Sequence, residues 1–248
     1  MIKKYYFASD VHLGLPPSDK AIEREKRFVR WLDSIKSNAE GIFLVGDVFD
    51  FWFEYKKVVP RGFVRTLGKI AEITDSGVPV HFFAGNHDLW VSDYLQSETG
   101  VNFHSESYET TLYEKKFFIA HGDTLDPSDK GYMFMHSIFT NPFLRKMYAS
   151  LHPSIGVGFA HTWAHRRHKQ NRPAGIFRGR DDSLYKFALK KLDTEKIDFF
   201  VFGHRHAPAT IKIKRAICNV LPDWIARPGG YMAFDGENTE MVLFPPNC

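Results

Sequence analysis

Cysteine is nearly absent from this chain: Cys218 and Cys248 are the only two in 248 residues. Two are too few for a disulfide framework or a thiolate zinc site, which points to a reducing compartment. No apolar run approaches the roughly 20 residues of a membrane span, so a bilayer-crossing helix is not expected. Internal repeats and low-complexity tracts are also lacking. The opening residues Met1-Ile2-Lys3-Lys4 run directly into an apolar stretch and Asp10, which leaves no room for a signal peptide, and the expected location is the cytoplasm.

One absence is local. Between Lys130 and Arg180 there is no Asp or Glu, while Lys130, Arg145, Lys146, Arg166, Arg167, Lys169, Arg172, Arg178 and Arg180 contribute nine positive charges. Because the whole chain carries +4, the rest of it carries −5. A basic segment therefore sits on an acidic body.

What the chain has in abundance is apolar and aromatic bulk, 44% hydrophobic residues and 23 Phe. That is enough for one sizeable core, and the length suits one domain with an insertion. The apolar runs share a habit. Gly41-Ile42-Phe43-Leu44-Val45 stops at Gly46-Asp47-Val48-Phe49-Asp50, as a buried strand delivering a carboxylate to its C-terminal end would. Residues 5–9 stop at Asp10-Val11-His12, residues 80–84 at Gly85-Asn86-His87-Asp88, residues 117–120 at His121-Gly122-Asp123, and residues 199–202 at Gly203-His204-Arg205-His206.

Between these strands the spacing predicts a helix capped by Asp19 with Ile22, Phe28, Trp31, Leu32 and Ile35 on its apolar side. It predicts a second helix opened by Pro60 and closed by Gly77, and a short one near 91–98. Strand-helix-strand alternation argues for parallel pairing with right-handed crossovers. Strands over 108–113 and 116–120 form an expected hairpin, and a helix over 183–193 leads into strand 198–202. The tail 208–244 alternates as a β meander would. The expected domains are a core of residues 1–123 and 186–248 and a helical cap of residues 124–185, which interrupts the alternation with aromatics, Met, Gly, Pro and the basic cluster.

The five tips carry the chemistry. Asp10 and His12, and again His204 and His206, are two apart and would share a face of a continuing strand. Asp, Asn and His without Cys suit Mn²⁺, Fe or Zn²⁺ in a hydrolase. The expected assignment is Asp10, His12, Asp47 and His206 on one divalent ion and Asp47, Asn86, His121 and His204 on a second, with Asp47 as the bridge. Two ions about 3.5–4 Å apart would clamp the attacking and leaving oxygens of an in-line phosphoryl displacement.

Asp-x-His, Gly-Asp-x-x-Asp, Gly-Asn-His-Asp, Gly-His and Gly-His-x-His, spread over residues 8–206, resemble the five blocks of the calcineurin-like metallophosphoesterases. The resemblance implies an α/β fold, a four-layer αββα sandwich of two mixed β-sheets with helices outside and an inserted helical cap. It also implies that His87 is catalytic, acting on the phosphoryl oxygens or the leaving group, and that Asp50 orients it. Gly46-Asp47-Val48-Phe49-Asp50-Phe51-Trp52 and His121-Gly122-Asp123-Thr124-Leu125, followed by Asp129-x-Gly131-Tyr132, are similar to the branch of that family that serves lipid A synthesis. That likeness implies cleavage of UDP-2,3-diacylglucosamine to UMP and 2,3-diacylglucosamine 1-phosphate, two Mn²⁺ ions, and peripheral attachment to the anionic inner-membrane surface. Many members carry Arg where this chain has His87, and Phe53-Glu54-Tyr55-Lys56 replaces the acidic residues usual after the Trp. Substrate contacts implied in the same way are Asn86, His87, Asp129, Tyr132, Arg166, Arg167, Lys169 and His204. The alternative is a metallophosphoesterase for another phosphodiester, nucleotide or phosphomonoester. Nucleic acid is not an expected partner, because the basic segment is interleaved with apolar bulk suited to acyl chains.

Overall fold

The computed structural model describes residues 3–156, 158, 177–225 and 228–245. Its first sheet contains β1 (Lys4–Ala8), β2 (Ala39–Val45), β3 (Val80–Phe83), β4 (Asn102–His104), β10 (Gly229–Phe234) and β11 (Thr239–Phe244), in the order β11-β10-β1-β2-β3-β4. Strands β1 to β4 pair in parallel and the β10-β11 hairpin closes one edge antiparallel. The second sheet contains β5 (Tyr108–Leu112), β6 (Lys115–Ala120), β7 (Phe199–Phe202), β8 (Ala209–Ile213) and β9 (Ala216–Val220), ordered β5-β6-β7-β9-β8.

The apolar runs are continuous because both faces of each central strand are covered. Alternation sends Phe7, Phe43, Val45 and Phe83 from the first sheet against Phe117, Ile119, Phe199 and Val201 from the second. The opposite face of the first sheet, with Tyr6, Ala8, Ile42 and Leu44, packs on helix α1 (Ser18–Ile35) through Phe28, Trp31 and Leu32 and on helix α2 (Val64–Asp75) through Ile70 and Ile73. On the outer face of the second sheet Phe118, Phe200 and Phe202 meet Leu184 and Ala188 of a later helix, Ser183–Lys191. The result is the four-layer αββα sandwich with two mixed sheets. Much of the Phe content fills the seam between sheets, where Phe7 stacks on Phe43 at 4.8 Å and Phe117 on Phe199 at 4.8 Å. Truncating one such fully buried Phe to Ala costs about 3–5 kcal/mol.

Short helix α3 (Tyr94–Thr99) precedes β4. Residues α4 (Lys130–Thr140) and α5 (Pro142–Ala149) form a helical pair, and α6 is the helix Ser183–Lys191. Asn141 turns the corner between α4 and α5, its Oδ1 accepting from Phe143 N at 2.9 Å and Leu144 N at 3.1 Å, with Pro142 in the first turn. The pair is tied to the core by Trp90 Nε1, which donates to Phe139 O at 2.8 Å, and by Tyr148, whose ring lies 4.7 Å from Phe53 and 5.4 Å from Trp90.

Three sequence expectations are corrected. Helix α2 starts at Val64, not at Pro60, because Gly62 (φ 107°) and Phe63 (φ 60°) hold left-handed conformations that a right-handed helix cannot include. Asp19 stands in the first turn of α1 instead of capping it, since the helix begins at Ser18 after Pro17. The alternating tail is not one meander: β8-β9 closes the second sheet and β10-β11 the first.

Candidate metal centre

The C-terminal ends of β1, β2, β3, β6 and β7 open onto one place, and the side chains beyond them converge there. Strand β1 ends at Ala8, so Asp10 and His12 do not share a strand face. Their convergence comes from backbone turning instead: Asp10 (φ 54°), His12 (φ 48°), Asp47 (φ 53°), His204 (φ 66°) and His206 (φ 51°) all hold left-handed conformations. Non-glycine residues rarely adopt these, and here they cluster at one spot, as strain does at functional sites. The first two loops steady each other, with Asp10 N donating to Gly46 O at 3.1 Å, His12 N to Asp47 O at 3.0 Å and Asp50 N to Leu13 O at 2.9 Å.

The glycines of the tips make room for neighbours. A Cβ on Gly46 would meet His121 Nδ1 at 2.5 Å, and one on Gly85 would meet Asp47 Oδ1 at 2.2 Å. Gly46 also sits at φ 79°, where a side chain is strained whatever the space.

Three groups of side chains present ligand atoms within 4.8 Å of one another: Asp10, His12 and His206; His12, Asp47 and His87; and Asp47, His121 and His204. Asp47 is common to two of them. Its Oδ1 accepts from His87 N at 2.8 Å, while Oδ2 lies 3.7 Å from His12 Nε2 and 3.3 Å from His121 Nε2. Asp10 divides its oxygens similarly. Oδ2 accepts from His204 N at 2.9 Å, and Oδ1 lies 3.3 Å from His206 Nε2 and 4.0 Å from His12 Nε2.

The outer ring nitrogens are fixed. His121 Nδ1 donates to Val45 O at 2.9 Å, His87 Nδ1 to Asp50 O at 2.8 Å, and His12 Nδ1 stands 3.2 Å from Asp50 Oδ1. A histidine whose Nδ1 is a donor has Nε2 left to ligate. Asp50 thus orients His87 through its backbone carbonyl, and its carboxylate is directed first at His12, with His87 Nδ1 farther off at 3.6 Å.

The electrostatics match a site built for cations. Burial alone would raise Asp47, yet the imidazoles of His121, His87 and His12 hold its carboxyl well below the usual range. Burial would lower His121, but Asp47 outweighs it and raises His121 well above the ordinary value. Burial, then His121, pushes His204 down to about 3. His206 rises to about 9, because Asp10 and Asp223 outweigh its burial. The residues fit divalent ions: Asp10 Oδ1, His12 Nε2, Asn86 Oδ1 and His121 Nε2 are buried, and among the described residues none has a hydrogen-bond partner. Buried polar atoms left in this state cost free energy that metal coordination would recover.

The remaining expected site residues are placed as follows. Asp129 caps α4, its Oδ1 accepting from Tyr132 N at 2.8 Å. Tyr132 donates its hydroxyl to Asp123 Oδ2, with its ring 6.3 Å from that of His204. Arg166, Arg167 and Lys169 lie outside the described residues.

Several residues of the centre went unassigned in the sequence. Asp88 is fully buried and accepts four backbone N–H groups, from Gly85 (2.8 Å), Asp47 (3.2 Å), Val48 (2.8 Å) and Phe49 (3.1 Å), lashing the β3 tip to the β2 tip. Its signal was its place in Gly-Asn-His-Asp. From α1, Arg24 Nη1 donates to His12 O at 2.7 Å and Arg27 Nη2 donates to Trp224 O. Arg205, between His204 and His206, donates Nη2 to Ser183 Oγ at 2.6 Å at the start of α6.

This fold and this cluster of carboxylates and imidazoles define the class of metal-dependent phosphoesterases. A model of the calcineurin-like phosphoesterases matches residues 3–208, and the chain belongs to that family. Among its relatives is the UDP-2,3-diacylglucosamine hydrolase of Porphyromonas gingivalis, 39% identical over an alignment covering 98% of this chain and 97% of that one. The UDP-2,3-diacylglucosamine hydrolase of Haemophilus influenzae is 28% identical, covering 90% of this chain and 91% of its own. The solved phosphoesterase Yfce from E. coli aligns with a TM-score of 0.49 at 16% identity, over 98% of this chain and 93% of that one.

Proposed function

We propose that this chain is a two-metal hydrolase that cleaves the pyrophosphate of UDP-2,3-diacylglucosamine, releasing UMP and 2,3-diacylglucosamine 1-phosphate. The observation that carries the reading is Asp47, whose Oδ2 faces His12 on one side and His121 on the other. Near full-length similarity to the hydrolase of Porphyromonas gingivalis supports the substrate. Asp10, His12, Asp47 and His206 would hold one ion, and Asp47, Asn86, His121 and His204 the other. An Asp, Asn and His set suits Mn²⁺, with Zn²⁺ or Fe also accommodated. When bound, such ions neutralise phosphoryl charge and activate water for in-line attack.

The chain's own groups do the rest. His87, partly exposed beside the cluster, is raised above its ordinary value because Asp47 and Asp50 outweigh its burial, a shift that favours its protonated form. It is positioned to donate that proton to a phosphoryl or leaving-group oxygen, and the Asp50 carbonyl holds its Nδ1 so that Nε2 is the donating atom. Asn86, His204 and Tyr132 would contact the sugar-phosphate.

Residues 124–185 would act as a cap that receives acyl chains and rests on an anionic membrane surface. Phe134, Phe143, Met147 and Ile155 are each more than half exposed, next to Lys130, Arg145 and Lys146, in the stretch from Lys130 to Arg180 that contains no Asp or Glu. Exposed apolar groups flanked by cations suit a headgroup boundary. Among the described residues no helix is long and apolar enough to cross a membrane.

Incubating Mn²⁺-loaded protein with UDP-2,3-diacylglucosamine and, separately, with bis-p-nitrophenyl phosphate tests the reading. Release of UMP from the first is expected, and turnover of the second alone would contradict it. Phe134→Asp with Phe143→Asp should weaken co-sedimentation with anionic vesicles roughly a hundredfold or more, as loss of two membrane-buried Phe side chains would, and unchanged sedimentation would contradict the membrane role.

A further inference from the structure

We infer that Asp223 is a positioning residue for His206 and makes the ion held by Asp10, His12 and His206 bind more tightly; this rests on the two-metal reading above. His206 stands between two carboxylates. Its Nε2 is 3.3 Å from Asp10 Oδ1 inside the cluster, and its Nδ1 is 3.6 Å from Asp223 Oδ2 outside it. His12, His87 and His121 each have Nδ1 fixed by Asp50 or by the Val45 carbonyl, so Asp223 supplies for His206 what those groups supply for the others. A carboxylate behind a ligating imidazole sets its orientation and raises its basicity.

Asp223 belongs to none of the five tips. It lies in the loop that follows β9, and that loop is fastened on every side. Leu221 N donates to Phe202 O at 2.7 Å, and Trp224 N donates to Asp10 O at 3.1 Å. Arg27 of α1 donates to Trp224 O, and the Trp224 ring is fully buried, edge to face with Phe28 at 5.2 Å. Asp223 Oδ1 accepts from Ile225 N at 2.8 Å, which fixes the carboxylate plane and directs Oδ2 at His206. The loop therefore fixes Asp10 by its backbone and His206 by a side chain, two ligands of the same ion.

The test is equilibrium dialysis of the full chain against graded free Mn²⁺, counting ions bound per chain, for the parent, Asp223→Ala and Asp223→Asn. For Asp223→Ala one of two binding steps should weaken by about 10–100-fold while the other keeps its midpoint. Asp223→Asn keeps an acceptor and loses the charge, so the same step should weaken less. Superposed curves for both variants and the parent would overturn the inference. Weakening of both steps together with a lower melting temperature would also overturn it, since that is the mark of a merely structural residue. Should Asp223→Ala not fold, Asp223→Asn decides alone, with a weakened single step expected and an unchanged curve contrary. A parent that binds no second ion would contradict the two-metal reading itself, a different failure from variants that match a two-ion parent.

Discussion

His12 Nδ1 stands 3.2 Å from Asp50 Oδ1, both side chains almost wholly buried. The same Asp50 reaches His87 with its backbone carbonyl at 2.8 Å, so one residue serves two histidines with two different groups. Replacing the side chain separates the two services. Asp50→Ala should lower Mn²⁺ affinity about 10–100-fold through a loosened His12, while Asp50→Asn, which keeps an acceptor, should do less harm. Metal titration by dialysis checks this, and equal binding in all three proteins would contradict it.

His87→Ala should have the opposite profile. The bond from position 87 to Asp47 is made by the backbone N–H, which alanine keeps. Ion binding should therefore survive while kcat falls about 10²–10⁴-fold, the range of a lost general acid. Loss of an ion alongside activity would mark His87 as a ligand.

Asp88→Ala should be costly to the fold. It strands four buried backbone N–H groups at the heart of the centre. At about 1–3 kcal/mol for each unsatisfied group, and allowing for relaxation, a loss of at least about 3 kcal/mol is expected. That is a drop of roughly 6–12 °C in Tm for a domain of this size, measurable by calorimetry.

A pH effect is expected away from the centre. His81 on β3 stacks on Phe43 at 4.5 Å and contacts His104 Nε2 with its Nδ1 at 2.9 Å. Burial, then His104, holds His81 down to about 4, and burial lowers His104 as well. An unfolded chain takes these protons near pH 6.5. Above about 6.5 both states are neutral there and nothing changes. Between about 6.5 and 4 the unfolded state binds protons the folded state refuses, so stability falls as pH falls and levels off below. His81→Phe should flatten that decline in urea midpoints measured from pH 7 to 4.5, and an unaltered slope would contradict the assignment.

The sandwich and the convergence of side chains beyond its strands were legible because the strands are buried on both faces and each apolar run ends at a polar tip. Glycine placement helped, since Gly46 and Gly85 leave room for His121 and Asp47. Features made by backbone turning were not legible. The two-residue spacing of Asp10 and His12 carries no sign of the left-handed conformations that both adopt. Residues that act across the chain were hidden as well: Asp223 is 17 positions beyond His206, and Arg24 reaches His12 from a helix whose apolar spacing reports only its core-facing side. The split of the tail between two sheets depends on edge pairing, which alternation alone does not encode.

The central claim is that Asp47 bridges two cations. Anomalous scattering from crystals of the full chain grown with Mn²⁺ tests it most directly. The account predicts two peaks about 3.5–4 Å apart with an oxygen of Asp47 against both. A single peak, or two that Asp47 does not join, would contradict it.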